Sequence, residues 1–473
     1  MLIVILLQQN DTEYRIKKRN RLTYGIGTIG RDMVYSLVSM YLIFYLTDII
    51  RLPTATMWWV AGIIFAGRIF DAINDPIMGF IVDNTHTRMG KFKPWIAIGA
   101  VLSALFTVLL FTDFGLTGSA FAVTFAIIYL MWGIGYTVND IPYWSMLPTL
   151  SIEQKEREKI GAIARICANI GTFSVVAAIV PLTGFLGERF GSPQKGYFIL
   201  ALFVSIALVA GQCVTLFGVK EIRLTANNRK STPLRELLQI IYRNDQLFFI
   251  AIALSFFMIG IITTYTFGLY YFKYAYGNEN MYPVFALIAG TSQIVALAIF
   301  PLLSRRFKRE TLYNAATLLI VTGFIIFFFA PVTTIIYIAA AGVLLFTGQS
   351  FMQLLMLMFL ADSVDYGHWK LGKRNDSISF SLQPFISKTG GAISSGVVSA
   401  VVIVSGIKDA DVASDVTAQG LLLLKIAMLI FPLVCVVVSF IICRKKYRID
   451  SRFHGQIISD LRKRGEIIDD VYL

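Results

Sequence analysis

Apolar segments long enough to cross a lipid bilayer recur along almost the whole of this chain, and no other feature limits its fold as strongly. At about 1.5 Å of rise per residue, a helix needs roughly 20 apolar residues to span the hydrocarbon core. Twelve such runs start near Tyr24, Thr54, Pro94, Gly118, Ile160, Tyr197, Gln246, Asn280, Glu310, Thr334, Ser377 and Thr417. Of the 473 residues, 56% are hydrophobic and only 15% charged, more apolar surface than a water-soluble chain of this length can bury. The fold class implied is an all-α polytopic membrane protein.

The positions of the charges set its topology. Arg15, Lys17, Lys18, Arg19 and Arg21 precede the first run, Arg88, Lys91 and Lys93 follow the second, and Lys155, Arg157 and Lys159 follow the fourth. Lys220, Arg223, Arg229, Lys230, Arg235 and Arg243 occupy the centre, with further basic clusters over 305–309, 370–374 and 444–464. The intervening loops hold only Arg51, Arg189, Lys195, Lys273 and Lys408. If spans alternate, all the clusters share one face, which the positive-inside rule makes cytoplasmic. Both termini are then cytoplasmic, the number of spans is even, and the chain belongs in the cell's inner or plasma membrane. The net charge of +13 is accounted for by this placement, so no nucleic-acid partner is expected. The four cysteines, Cys167, Cys213, Cys435 and Cys443, fall in or at the ends of spans without metal-ligand spacing, and no disulfide framework is expected.

The one long polar interruption between runs, Lys220 to Asp245, divides them six and six. The expected organisation is a tail over 1–22, a six-helix bundle with the cation site over 23–219, a cytoplasmic linker over 220–245, a second six-helix bundle over 246–443 and a tail over 444–473. Two six-helix bundles joined in this way, twelve transmembrane helices in all, are the layout of the major facilitator fold. A single bundle with one long loop is the alternative.

Carboxylates at membrane depth are costly and mark ion or proton pathways. The second run contains Arg68-Ile-Phe-Asp71-Ala-Ile-Asn74-Asp75-Pro76, which sets Asp71 and Asp75 on one helix face with Arg68 on the same side. Two acceptor-only groups converging in a low dielectric suit a small hard cation or a proton. The alternative is a structural ion-pair cluster tying two helices together. In the fourth run Asp140 and Trp144 share a face, with Tyr136 and Thr137 one turn earlier. A carboxylate beside an indole suits a pyranose, whose hydroxyls bond the acid while its C–H face stacks on the ring. The alternative for Trp144 is an interfacial anchor. The first run holds Arg31-Asp32, which as neighbours cannot share one helix face. Arg31, Arg68, Arg165 and Lys388 supply four bases for the four aspartates 32, 71, 75 and 140, which is consistent with one shared polar cavity.

Two hairpins on the basic face repeat a pattern, Asp83…His86…Arg88…Gly90-Lys91 and Asp365…His368…Lys370…Gly372-Lys373. Each sets an acid at a helix end, then a base, then a glycine for a turn at positive φ. Asp83, Arg88, Asp365 and Lys370 are the expected gating residues, and two ordinary turns are the alternative. The three histidines, His86, His368 and His454, lie in loops or the tail, and no Ser/His or metal-ligand arrangement occurs at membrane depth, so an enzyme is not expected. A channel is not expected either, since no pore motif repeats.

Six ordered motifs carry a resemblance to a known family: Tyr24-Gly-x-Gly-x-x-Gly30-Arg31-Asp32, Asp71-Ala-Ile-Asn74-Asp75-Pro-Ile-Met-Gly79, Arg88-x-Gly-Lys-Phe-Lys-Pro-Trp95, Asp140-Ile-Pro-x-Trp144-Ser, Ile241-Tyr-Arg-Asn-Asp-Gln-Leu247 and Ala361-Asp-x-Val-Asp-Tyr-Gly367. The chain resembles the glycoside–pentoside–hexuronide:cation symporters of the major facilitator superfamily, and among them the melibiose-type carriers. The resemblance implies a Na⁺, Li⁺ or H⁺ site built from Asp71, Asp75, Asp140 and Thr137, with Asn74 tuning the choice of cation. It implies a sugar site of Arg31, Asp32, Tyr136, Asp140, Trp144, Arg165, Gln383 and Lys388. Three positions depart from the melibiose-type pattern. Arg31 stands for a lysine, Gln353 for the tryptophan that closes the sugar pocket, and Pro384 for a threonine.

The expected function is therefore symport of a glycoside, such as melibiose or another galactoside, with a monovalent cation. No cofactor is expected beyond the coupling Na⁺ or H⁺, the partners being sugar, cation and membrane lipid, and the working unit a monomer. The alternative within the same family is a proton-coupled carrier of a glucuronide, a xyloside or other pentoside, or a sulfonated sugar.

Overall fold

The computed structural model describes residues 2–224, 241–278, 281–331, 335–407 and 415–472. Most of the linker expected over 220–245 therefore lies outside the described residues, as does Lys408. Six helices precede the linker: α1 (Leu2–Phe44), α2 (Thr54–Asp83), α3 (Lys93–Leu110), α4 (Gly118–Ser145), α5 (Gln154–Phe190) and α6 (Pro193–Gly218). Six more follow: α7 (Asp245–Tyr270), α8 (Met281–Arg306), α9 (Arg309–Phe329), α10 (Ile335–Leu371), α11 (Asp376–Val404) and α12 (Ala418–Lys446). Eleven of these, α2 to α12, are long and apolar enough to cross a membrane. The remaining expected span, starting near Tyr24, is the second half of α1, where Arg31 and Asp32 interrupt the apolar run.

The observed helices differ from expectation mainly at their ends. Helix α1 reaches back to Leu2, so most of the segment expected as an N-terminal tail is helical. Helix α5 starts at Gln154 rather than near Ile160, because its charged first turns are held to α1 by an Arg21–Glu156 ion pair. Beyond α12 the chain forms a further helix, α13 (Ser451–Lys463), and a strand, β2 (Ile467–Tyr472), that pairs antiparallel with β1 (Ile222–Leu224).

Contacts divide the chain into two units. The first comprises Met1–Leu237, Gly372–Ser381 and Ile458–Leu473, and the second Leu238–Leu371 and Leu382–Ile457. In the first, α1 packs on α5 and α6, α3 on α4 and α6, and α2 on α4. In the second, α7 packs on α12, α9 on α10, and α8 on α10. The pairs α1–α6, α3–α4 and α2–α4 thus recur six helices later, as an internal repeat requires. Helices α1 and α7 also end alike, in the π-helical turns Tyr45–Ile49 and Tyr271–Ala275.

Two features of the first unit position the site. Helices α3 and α4 cross closely because glycines meet backbone on both sides. A Cβ on Gly99 would lie 2.3 Å from the Asn139 nitrogen, and one on Gly135 would lie 2.9 Å from the Ser103 nitrogen. Helix α2 is polar inside and apolar outside, with Phe65, Ile69 and Ile73 exposed while Asp71 and Asp75 are buried. Such a helix places its carboxylates in the protein and its hydrocarbon against lipid.

Candidate functional site: a buried acid pair beside an arginine–tryptophan cluster

Helices α2 and α4 lie side by side in a constant register. Gly67 meets Tyr129, Asp71 meets Gly133, and the Thr137 hydroxyl donates to Asp75 Oδ1 at 3.1 Å, each pair 62 residues apart. Steps of four keep all three contacts on one face of each helix, and the constant offset shows that the helices run in the same direction. Gly133 makes room for the acid, since a Cβ there would lie 2.8 Å from Asp71 Oδ1. The two carboxylates are deeply buried, Asp75 at 1% and Asp71 at 8% exposure. Arg68 sits beside the hydroxyls of Tyr35 and Tyr129, with Asp71 in electrostatic reach. Asn74, on the turn between the two acids, has its buried Nδ2 without a hydrogen-bond partner. Two carboxylates and a hydroxyl form an all-oxygen donor set that fits Na⁺ or a proton as cargo.

One turn further along α4 the chemistry changes. Arg31 binds Asp32 Oδ2 through Nη2 at 2.9 Å and Asp140 Oδ1 through Nη1 at 3.1 Å. Neighbouring residues 31 and 32 do leave the helix in different directions, but the long arginine side chain curls back, so one guanidinium serves both acids. It is 2% exposed and stacks over the rings of Tyr143 and Trp144, at 4.7 and 4.9 Å. Arg165 covers Trp144 as well, at 4.5 Å, and its buried Nε and Nη2 have no hydrogen-bond partner. Trp144 is therefore buried among cations and aromatic rings, which is not the environment of an interfacial anchor. Tyr136 packs between Tyr35 and Trp132, in line with a ladder of stacked rings running up α4 through Phe121, Phe125 and Tyr129.

Apolar helices that bury acids, arginines and an indole among them suit a solute carrier, and sequence comparison says of which kind. Residues 23–451 match the family profile described as MFS/sugar transport protein. The chain belongs to that family. It is 32% identical over 458 residues to the raffinose carrier protein of Pediococcus pentosaceus, covering 94% of this chain and 71% of the carrier. It is also 32% identical to the lactose permease of Lactobacillus delbrueckii subsp. bulgaricus, over 93% of this chain and 72% of the permease. Among solved structures, the major facilitator superfamily transporter FucP in the outward conformation matches with a TM-score of 0.65 at 12% identity, over 92% of this chain and 99% of FucP. At that identity the match shows the fold alone. The family consists of membrane sugar transporters of the glycoside–pentoside–hexuronide type, not enzymes, and this chain is a multi-pass membrane protein of that kind.

The expected gating residues fall into three separate places in this MFS sugar transporter. Asp83 ends α2 and accepts from the Ser377 and Ile378 amides at 3.1 and 2.9 Å, so it caps the first turn of α11. Lys91 bridges Asp83 and Asp376 at 2.9 and 2.7 Å, and Arg374 also binds Asp376. Burial would lower the Lys91 ammonium, but Asp376 and Asp83 outweigh it and hold its pKa above the ordinary lysine value. Arg88 is exposed. In the second unit Lys370 pairs with Asp245, and Asp365 lies 3.0 Å from His454 Nε2. The two glycines expected at turns, Gly90 and Gly372, do have positive φ, 91° and 68°. The expectation that both acids end helices fails at Asp365, which is buried inside α10 six residues before its end.

Gln383 and Lys388 lie on α11 in the second unit, the first with its buried Oε1 lacking a hydrogen-bond partner. Other contributors escaped the sequence reading. Tyr143 supports Arg31 and stacks on Tyr24 at 4.6 Å, and the hydroxyl of each ring donates to the other residue's carbonyl. Gly133 on α4 makes room for Asp71, and Gly67 on α2 makes room for Tyr129, a fit that only the packing of the two helices reveals. Lys91–Asp376 and His454–Asp365 join residues distant in the chain and left no local signal.

Proposed function

We propose that this MFS sugar transporter is a cation-coupled glycoside symporter that works by alternating access. The observation that carries the proposal is the buried pair Asp71 and Asp75 against Gly133 and Thr137 of α4, one turn before Asp140 of the same helix, which the α1 residue Arg31 ties to Asp32. A cation, Na⁺ or a proton, is held by Asp71, Asp75 and Thr137, with Asn74 adjusting the choice and Asp140 linking to the sugar. Asp32, Asp140 and Arg31 bond sugar hydroxyls, Arg165 offers its unpartnered nitrogens, and Trp144 with Tyr136 receives the apolar sugar face. Gln383 and Lys388 are the candidates from the second unit.

Binding the cation removes negative charge beside Asp140 and organises it for the sugar, so each ligand tightens the other by the same factor. Only the empty or doubly loaded carrier changes its accessible side, and the Asp83–Lys91–Asp376 network, with Arg88, Asp365 and Lys370 nearby in sequence, closes the cytoplasmic face. Both termini face the cytoplasm of the cell membrane, and the monomer is the working unit. The substrate class we assign is a galactoside, because the related carriers are named for raffinose and lactose, each of which bears a galactosyl group.

Counterflow in de-energised vesicles tests this reading. Vesicles preloaded with melibiose, lactose or raffinose should transiently concentrate the same labelled sugar, and imposed Na⁺ and proton gradients should separate the two coupling ions. Absence of saturable counterflow with all three sugars would overturn the galactoside assignment. Counterflow that ignores both gradients would overturn the coupling.

A further inference from the structure

Helices α1, α2 and α4 carry the intramembrane acids of the first unit, and their counterparts six helices later are α7, α8 and α10. Those counterparts bring together an uncharged polar triad, Tyr265 of α7, Gln293 of α8 and Gln349 of α10. The Tyr265 hydroxyl donates to Gln349 Oε1 at 3.3 Å and accepts from Gln293 Nε2 at 2.9 Å. Phe346, on the turn before Gln349, stacks on the Tyr265 ring at 5.6 Å and meets Phe285 of α8 at 5.4 Å, which fixes the phenol between α8 and α10. Gln293 is at the middle of α8, so the triad sits at mid-depth.

A phenol bonded to two amides would tie three helices together and do nothing more if it were sealed. It is not sealed. Tyr265 is 37% exposed, although α7 and α10 are the two most buried of the eleven spans. Each glutamine also keeps one end open, because among the described residues Gln349 Nε2 and Gln293 Oε1 bond nothing. An amide end without a partner is costly against hydrocarbon, and polar groups at this depth face a solute path or a water-filled space. The two open ends are a donor and an acceptor, and neither bears charge. They match neighbouring sugar hydroxyls, one accepting from Gln349 and the other donating to Gln293.

We infer that Gln293 and Gln349 form a further sugar-binding subsite, for hydroxyls of a neutral glycosyl residue, with Tyr265 as the positioning residue that aims both amides. The inference rests on the glycoside reading of the transport function and narrows it. An uncharged triad offers no counter-charge to the carboxylate of a glucuronide or to a sulfonate, whereas every hydroxyl of a galactoside can both donate and accept.

Equilibrium dialysis of labelled melibiose, lactose and raffinose against the purified full-length carrier tests it, with monodeoxy analogues of the tightest binder as competitors. Loss of one neutral hydrogen bond predicts sugar affinity about three- to tenfold lower in Gln349→Leu, in Gln293→Leu and in Tyr265→Phe. Cation titration without sugar identifies the variants that fold. Gln349→Asn, which keeps the amide but withdraws it by one methylene, serves where the leucine variant does not. At least one monodeoxy analogue should bind the wild type more weakly than its parent sugar and lose that deficit in the Gln349 variant, a pattern that a merely structural glutamine does not produce. Wild-type sugar affinity in all the variants, or deoxy deficits that the Gln349 variant leaves unaltered, would overturn the subsite alone. A wild-type carrier that binds none of the three sugars would overturn the galactoside reading, and the subsite with it.

Discussion

Replacing Gly133 by alanine perturbs the proposed cation site apart from the rest of the fold. The new Cβ would lie 2.8 Å from Asp71 Oδ1, about 0.5 Å inside ordinary carbon–oxygen contact. The atom in the way is the free end of a short side chain, so rotation of the carboxylate relieves the clash at a cost on the order of 1 kcal/mol. The fold should survive. The cation should not bind as before, because ligand distances in an oxygen site tolerate about 0.2 Å, and a carboxylate moved by twice that no longer closes the site. An affinity loss of roughly tenfold, or about 1.4 kcal/mol, is expected for Na⁺ or for whichever cation couples. Isothermal titration of the purified carrier with the cation measures it, with the unfolding temperature taken alongside. Gly135→Ala is the contrasting variant. Its Cβ would meet the backbone of α3 at 2.9 Å, so it should lower the unfolding temperature instead. Cation affinity within twofold of wild type in a folded Gly133→Ala protein would show that Asp71 is not a ligand in this register.

Two other perturbations address different parts of the molecule. Trp144→Ala removes the ring stacked by Arg31 and Arg165, and should weaken sugar binding by about 10- to 100-fold while sparing cation binding; unchanged sugar affinity in equilibrium dialysis would remove Trp144 from the site. Glu221, which sits over Gly90 outside the spans, has its carboxyl pushed up to about 7 by burial, against the pull of Lys93 and Lys91. A raised acid holds a proton in the folded state that the unfolded chain releases, so stability should fall as pH rises from its ordinary 4.5 to about 7. Glu221→Gln should flatten that slope in thermal unfolding, and an unaltered slope would assign the pH dependence elsewhere.

The helices were largely legible in the sequence because in lipid every span must satisfy its own backbone, which leaves a long apolar run as its trace. Asp71 and Asp75 stood out for the same reason, as charges where charge is costly. What the one-dimensional pattern could not carry was the register between helices. Gly133 has meaning only once α4 lies 62 residues along from α2, and that offset depends on packing. The ion pairs on the basic face depend on packing in the same way. The hairpin pattern holds both Asp83 and Lys91, but only the folded chain shows Lys91 bridging Asp83 to the distant Asp376. Likewise His454, on a helix not anticipated in the C-terminal segment, is buried against Asp365.

Whether the α2 acids couple a cation gradient to sugar movement is read from uptake of labelled melibiose into membrane vesicles, with wild type and Asp75→Cys compared under imposed inward Na⁺ and proton gradients. Wild type should accumulate the sugar transiently above equilibrium under at least one gradient, and Asp75→Cys under neither. Gradient-driven accumulation retained by Asp75→Cys would contradict that coupling.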